Sequence, residues 1–140
     1  TKKMLGKRKI RKNVFELLFG YSFNKEEGYE DYFNNAYDNF CCEDDEDENV
    51  KRTFVGVCEK VGEIDEIIEK FLKDWKLNRL SKATIAILRL SVYEMVYAKL
   101  PAPISINEAV ELAKQYAEDG AAGYINGVLN NIAKSGLLDG

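Results

Sequence analysis

The densest chemistry in the sequence lies in its first twelve residues, where Lys2, Lys3, Lys7, Arg8, Lys9, Arg11 and Lys12 occur without a single acid. Seven cations on so short a segment suit a polyanion, and the planar, many-donor arginine fork suits phosphate oxygens in particular. The chain as a whole carries a net charge of −4, so the residues after Lys12 carry −11. The run Glu43 to Glu48, EDDEDE, concentrates much of that negative charge. A basic segment on an acidic body favours a polyanionic partner at one end and discourages non-specific association elsewhere. A solvated, frayed terminus is the alternative that the residues alone leave open.

Other chemistries are poorly provided for. There is no histidine, so Ser-His-Asp and Cys-His nucleophiles and histidine metal sites are excluded. No G-x-x-x-x-G-K-[ST] loop or G-x-G-x-x-G turn is present. The carboxylate groupings Glu63/Asp65/Glu66 and Glu118/Asp119 read as solvated helix faces. Cys41, Cys42 and Cys58 lack the spacing of a disulfide framework or a zinc site and read as reduced thiols. The residues describe a non-catalytic binding module, with no enzyme activity, cofactor or metal expected.

The elements that must position these groups are helical. Apolar residues recur with a period near 3.6 through most of the chain, and its only prolines, Pro101 and Pro103, share one loop. The fold class is therefore all-α, a single-domain bundle of about seven helices over residues 1–140. Within it, residues 1–6 are expected as a flexible basic arm, and 24–49 as a variable helix and acidic loop. The absence of an 18-residue apolar run excludes a membrane-spanning helix. No secretory leader is expected, because Lys2 to Lys12 leads into an amphipathic segment. A cytoplasmic protein follows as the expectation.

The first helix is predicted over Lys7 to Phe23, with Ile10, Val14, Leu17, Leu18 and Tyr21 facing the core. Arg8, Lys12, Phe15 and Phe19 fall on another face, at about 100° per residue. Tyr29 to Phe40 carries an aromatic stripe of Tyr32, Phe33, Ala36, Tyr37 and Phe40. Gly62 is predicted to break the helical stretch from Val50 to Lys73. Trp75 and a connector follow, and Ser81 is predicted to cap a helix over Lys82 to Ala98. That helix is apolar almost all round and should be the central one. Arg89 and Glu94 interrupt it and should lie at its edge.

Ser105 and Glu108 form an S-x-x-E pattern, predicting a helix start just after Pro103. Gly120 should close that helix in a left-handed turn after Glu118 and Asp119. Ile125, Val128, Leu129 and Ile132 share the inner face of the last helix, and Gly127 within it should admit a close neighbour.

The runs INEAVELAK and YINGVLNNIAK, the ILRLSVYEM segment and the basic helix from Lys7 to Tyr21 together resemble the NusB family of transcription antitermination factors. The resemblance is weak from Asn24 to Asn49. It implies a small all-helical RNA-binding factor that binds single-stranded, boxA-like RNA together with NusE, a small-subunit ribosomal protein. The pair would join the RNA polymerase antitermination complex and promote read-through of ribosomal RNA operons.

By the same resemblance Lys7, Arg8, Lys9, Arg11 and Lys12 would contact phosphates, and Tyr124 would stack on an unpaired base. Phe19 stands where the family has a tyrosine facing the protein partner, and Thr84 where many members carry an acid facing it. Gly120 stands where an acid is frequent, and Asp119 is the candidate to replace it. Two other functions remain compatible with the sequence. One is the NusB-like domain of an RNA cytosine methyltransferase, which would require a cofactor-binding domain that the residues up to Gly140 do not provide. The other is a helical interaction protein without RNA binding, acting as a homodimer or larger homo-oligomer.

Overall fold

A computed structural model describes residues 2–37, 45–73 and 76–138, with side chains described over 8–36, 48–73 and 76–138. Seven α-helices, and no strand, occur among the described residues: α1 (Lys2–Tyr21), α2 (Tyr29–Tyr37), α3 (Asp45–Glu59), α4 (Val61–Lys70), α5 (Lys82–Val96), α6 (Ala102–Tyr116) and α7 (Ala121–Lys134). Short 3-10 turns occupy Lys25–Glu27 and Leu77–Arg79. The helices fall into two compact units, Thr1–Glu59 and Lys60–Gly140. Among the described residues no helix is long and apolar enough to cross a membrane.

In the first unit α1 packs on α2 and α3. The helical backbone begins at Lys2, ahead of the predicted Lys7, so residues 1–6 are not wholly an irregular arm. Val14, Leu17 and Leu18 are buried as the period dictates, and Phe15 joins them at 1% exposure. Phe33, Phe54, Tyr21 and Tyr32 form one aromatic cluster, with Tyr21 and Tyr32 ring centres 5.5 Å apart and Phe33 and Phe54 5.8 Å apart. Gly20 permits this: a Cβ there would run into the Tyr32 hydroxyl. The backbone of α3 begins at Asp45, inside the acidic run. Tyr37 as a side chain, and Phe40, Cys41, Cys42, Glu43 and Asp44, lie outside the described residues, as does Trp75. Cys58 is a half-buried thiol that forms no disulfide among the described residues.

In the second unit α5 packs against α4, α6 and α7. Nine of its residues are buried, from Ala83 to Met95, which is why its sequence is apolar on every side. Ser81 caps it, its Oγ accepting the Thr84 backbone N–H at 3.1 Å. Arg89 lies at the edge of α5 and grips Asp65 of α4 with two hydrogen bonds of 2.8 Å. The break predicted at Gly62 falls at Lys60, and Gly62 lies inside α4.

Three sequence expectations change here. α6 starts at Ala102, after Pro101, because proline near a helix start costs no hydrogen bond. Ser105 therefore lies inside the helix and is fully buried, not a cap. α6 ends at Tyr116 with Ala117 extended, and Gly120, at φ 89°, instead precedes α7 in the left-handed conformation. Gly127 has no atom of the described residues within 4 Å of where a Cβ would stand, so no close neighbour meets it among them. Ile125, Val128, Leu129 and Ile132 are buried as predicted.

Candidate functional site

The predicted site residues divide between the two units. In the first, Arg8, Lys9 and Lys12 stand exposed on α1, while Arg11 is tucked in at 8% exposure. The side chain of Lys7 lies outside the described residues. The apolar period drives this split: Arg11 occupies the turn that also turns Val14 and Phe15 inward. Further along the helix Phe15, Phe19 and Phe23 form a ladder, with ring centres 5.9 Å and 5.2 Å apart. Its exposure grows along α1 and past its end, from buried Phe15 through half-buried Phe19 to Phe23 at 60%. An open aromatic edge of this kind suits contact with a protein surface.

In the second unit Thr84, Asp119 and Tyr124 line one cavity of about 350 Å³, together with Arg79, Ser81 and Glu118. Three features of the local fold assemble it. The 3-10 turn ending at Arg79 leads directly into the Ser81 cap of α5. Thr84, at the third position of that helix, is 2% exposed and cannot itself form an outer surface. The turn between α6 and α7 brings Glu118 and Asp119 to the same opening.

Glu118 joins these pieces. Its Oε1 accepts the Ser81 hydroxyl at 2.9 Å and lies 3.3 Å from the Thr84 hydroxyl. A hydrogen bond from its own backbone holds the Glu118 carboxyl below the usual carboxylate range; slight burial opposes this, and the two hydroxyls reinforce it. The group is thus a fixed anion at neutral pH. Asp119 is exposed beside it. Arg79 is exposed and lines the same cavity, and its guanidinium has no hydrogen-bond or ion-pair partner among the described residues.

Tyr124 is half-buried at the first turn of α7. Its hydroxyl oxygen is buried and has no hydrogen-bond partner among the described residues. Burial pushes its phenol pKa up. Leaving such a group unpaired costs on the order of 1–3 kcal/mol, which marks the position as one not optimised for packing alone.

Sequence reasoning had Thr84, Asp119 and Tyr124 in hand but not Glu118 or Arg79 as parts of the same site. Glu118 read as a helix end, and only the folding of the second unit brings it to Ser81, 37 residues away.

A family model described as the NusB family matches residues 8–134. The transcription antitermination protein NusB of Acetivibrio thermocellus is 37% identical over 135 residues, covering 96% of this chain and 92% of its own. Its counterpart from Clostridium novyi is 39% identical over 137 residues, covering 94% and 100%. Among solved structures, T. maritima NusB matches with a TM-score of 0.84 at 34% identity, over 91% of this chain and 89% of that one. A crystal structure of the antitermination factors NusB and NusE in complex with dsRNA matches with a TM-score of 0.81 at 28% identity, over 94% and 98%. The match runs from the basic helix through the cavity to the end of α7, and this chain belongs to the NusB family.

Proposed function

We propose that this protein is a non-enzymatic transcription antitermination factor that binds single-stranded, boxA-like RNA together with the small-subunit ribosomal protein NusE. In this reading it acts in the cytoplasm on nascent ribosomal RNA and reaches RNA polymerase through the antitermination complex. The observation that carries the reading is the family match over residues 8–134, with the likeness to the NusB of a NusB–NusE–dsRNA complex. The chemistry of the side chains agrees with it. Arg8, Lys9 and Lys12 offer exposed cations for phosphates, with Lys7 continuing the row in sequence. Arg11, being buried, serves to fix the helix that presents them.

Tyr124 and Asp119 contribute at the cavity, the ring by stacking on a base. Phe19 and the exposed Phe23 offer the ribosomal partner an apolar edge, and buried Thr84 serves by holding the Glu118 carboxylate at the cavity. The two units together constitute one RNA-binding domain in this reading. A pull-down of the small-subunit ribosomal protein, with and without boxA-like RNA, tests it. The partner should be retained by the protein and retained more strongly with RNA. Failure to retain it under either condition would remove the antitermination reading.

A further inference from the structure

The cavity in the second unit carries charges of both signs, Arg79 against Glu118 and Asp119, and no ion pair joins them among the described residues. Among the described residues the Arg79 guanidinium has no hydrogen-bond or ion-pair partner, and the Ser81 and Thr84 hydroxyls both engage Oε1 of Glu118, so neither of them occupies Oε2. This combination restricts the ligand. A phosphate would meet Glu118 and Asp119, and a lysine or arginine of another protein would meet Arg79; like charges a few ångströms apart are unfavourable in either case. A neutral, flat group presenting an N–H donor beside an acceptor satisfies both charges at once. The volume of about 350 Å³ lies at the small end of ligand pockets, roughly 300–1,000 Å³. Tyr124 adds an aromatic wall. These are the requirements of an unpaired nucleobase.

The fixed carboxylate also discriminates among bases. It accepts from an exocyclic amino group, as carboxylates do from the cytosine N4. In uracil a carbonyl oxygen replaces that amino group and would face the carboxylate acceptor to acceptor. We propose that this cavity reads one amino-bearing base of the bound RNA, cytosine before uracil. Glu118 Oε2 accepts from the amino group, and Arg79 donates to the ring acceptor beside it. Glu118 is the specificity residue, and Ser81 and Thr84 are positioning residues that hold its carboxylate. This rests on the RNA-binding function proposed above and adds to it a base-reading group.

Fluorescence anisotropy with the full chain and labelled ten-nucleotide RNAs tests the proposal. One probe is all uridine, and the others carry a single cytosine stepped through each position. At least one cytosine probe should bind roughly tenfold more tightly than the all-uridine probe, the lower end of one direct base contact. Glu118→Gln should abolish that difference, because an amide can donate to the uracil carbonyl or accept from the cytosine amino group. Its salt dependence should stay that of the unsubstituted chain, and its circular dichroism should show the fold intact. Arg79→Gln provides the second variant and should reduce the preference by removing the donor to the ring acceptor.

A cytosine preference that survives both variants would overturn the proposal. So would equal binding of all probes with a steep salt dependence, which would leave RNA binding itself standing. No binding of any probe, alone or with the ribosomal partner, would overturn both. Loss of partner capture by Glu118→Gln with base preference unchanged would assign the carboxylate to the protein interface, against the proposal.

Discussion

The Ser91 and Ser105 hydroxyls meet 2.7 Å apart between α5 and α6, at 1% and 0% exposure. Ser105 Oγ also lies 3.1 Å from a Glu94 carboxylate oxygen and 3.3 Å from the Ser91 carbonyl. The contact fixes one helix against the next through buried polar atoms, in the unit that holds the cavity.

Truncating Ser105 leaves the Ser91 hydroxyl buried without the partner it has here, whereas truncating both hydroxyls removes that penalty. Ser105→Ala is therefore expected to destabilise the protein by about 1–3 kcal/mol. Adding Ser91→Ala should recover part of that loss. Urea unfolding of the two singles and the double, read as a double-mutant cycle, checks this. Strict additivity would mean that the hydroxyls do not couple.

Another contact of the same unit supplies a pH prediction. Tyr97 donates a hydrogen bond to Glu63, and the Lys60 ammonium lies 5.6 Å from its ring centre. Burial first, and then the bond and charge of Glu63, push the Tyr97 phenol up to about 12 from an ordinary 10.0. Its folded pKa exceeds its unfolded one, so the stability it contributes is complete below about pH 10 and is lost as the pH rises towards 12. Ultraviolet titration should show one tyrosine ionising late, and Glu63→Gln should bring it earlier. A curve identical in the variant would remove Glu63 as a cause.

Tyr124 should separate its two parts. Tyr124→Phe removes the unpaired hydroxyl and should leave stability unchanged or raise it by about 1 kcal/mol. Tyr124→Ala removes the ring and should weaken RNA binding by about 1–3 kcal/mol, with little change in salt dependence. A phenylalanine variant that is markedly less stable would show that the hydroxyl has a partner of its own.

Much of this architecture was legible because period and burial are tightly linked. The inner face of α7, the all-round apolar α5 and the Ser81 cap are all read directly from side-chain spacing. The start of α6 was not legible, because S-x-x-E describes a capping box and a mid-helix serine equally well. Only packing against Ser91 distinguishes them. Gly127 was misread for a related reason: a glycine in a helix marks close approach only if a neighbour is there to approach. The burial of Arg11 beside exposed Arg8 and Lys12 follows from helical phase, yet its charge suggested otherwise. Glu118 could not be assigned, because its two hydroxyl partners lie 37 and 34 residues away in the sequence.

The central claim is that the exposed cations of α1 hold an RNA backbone. It is tested most directly by the salt dependence of boxA-like RNA binding, in the presence of the ribosomal partner. Each phosphate contact to single-stranded RNA contributes about −0.7 to the slope of log affinity against log salt. Replacing Arg8 and Lys12 together with alanine should flatten that slope by about 1.4 and weaken all RNA sequences alike. An unchanged slope in the double variant would contradict the account, because the basic helix would then make no phosphate contact.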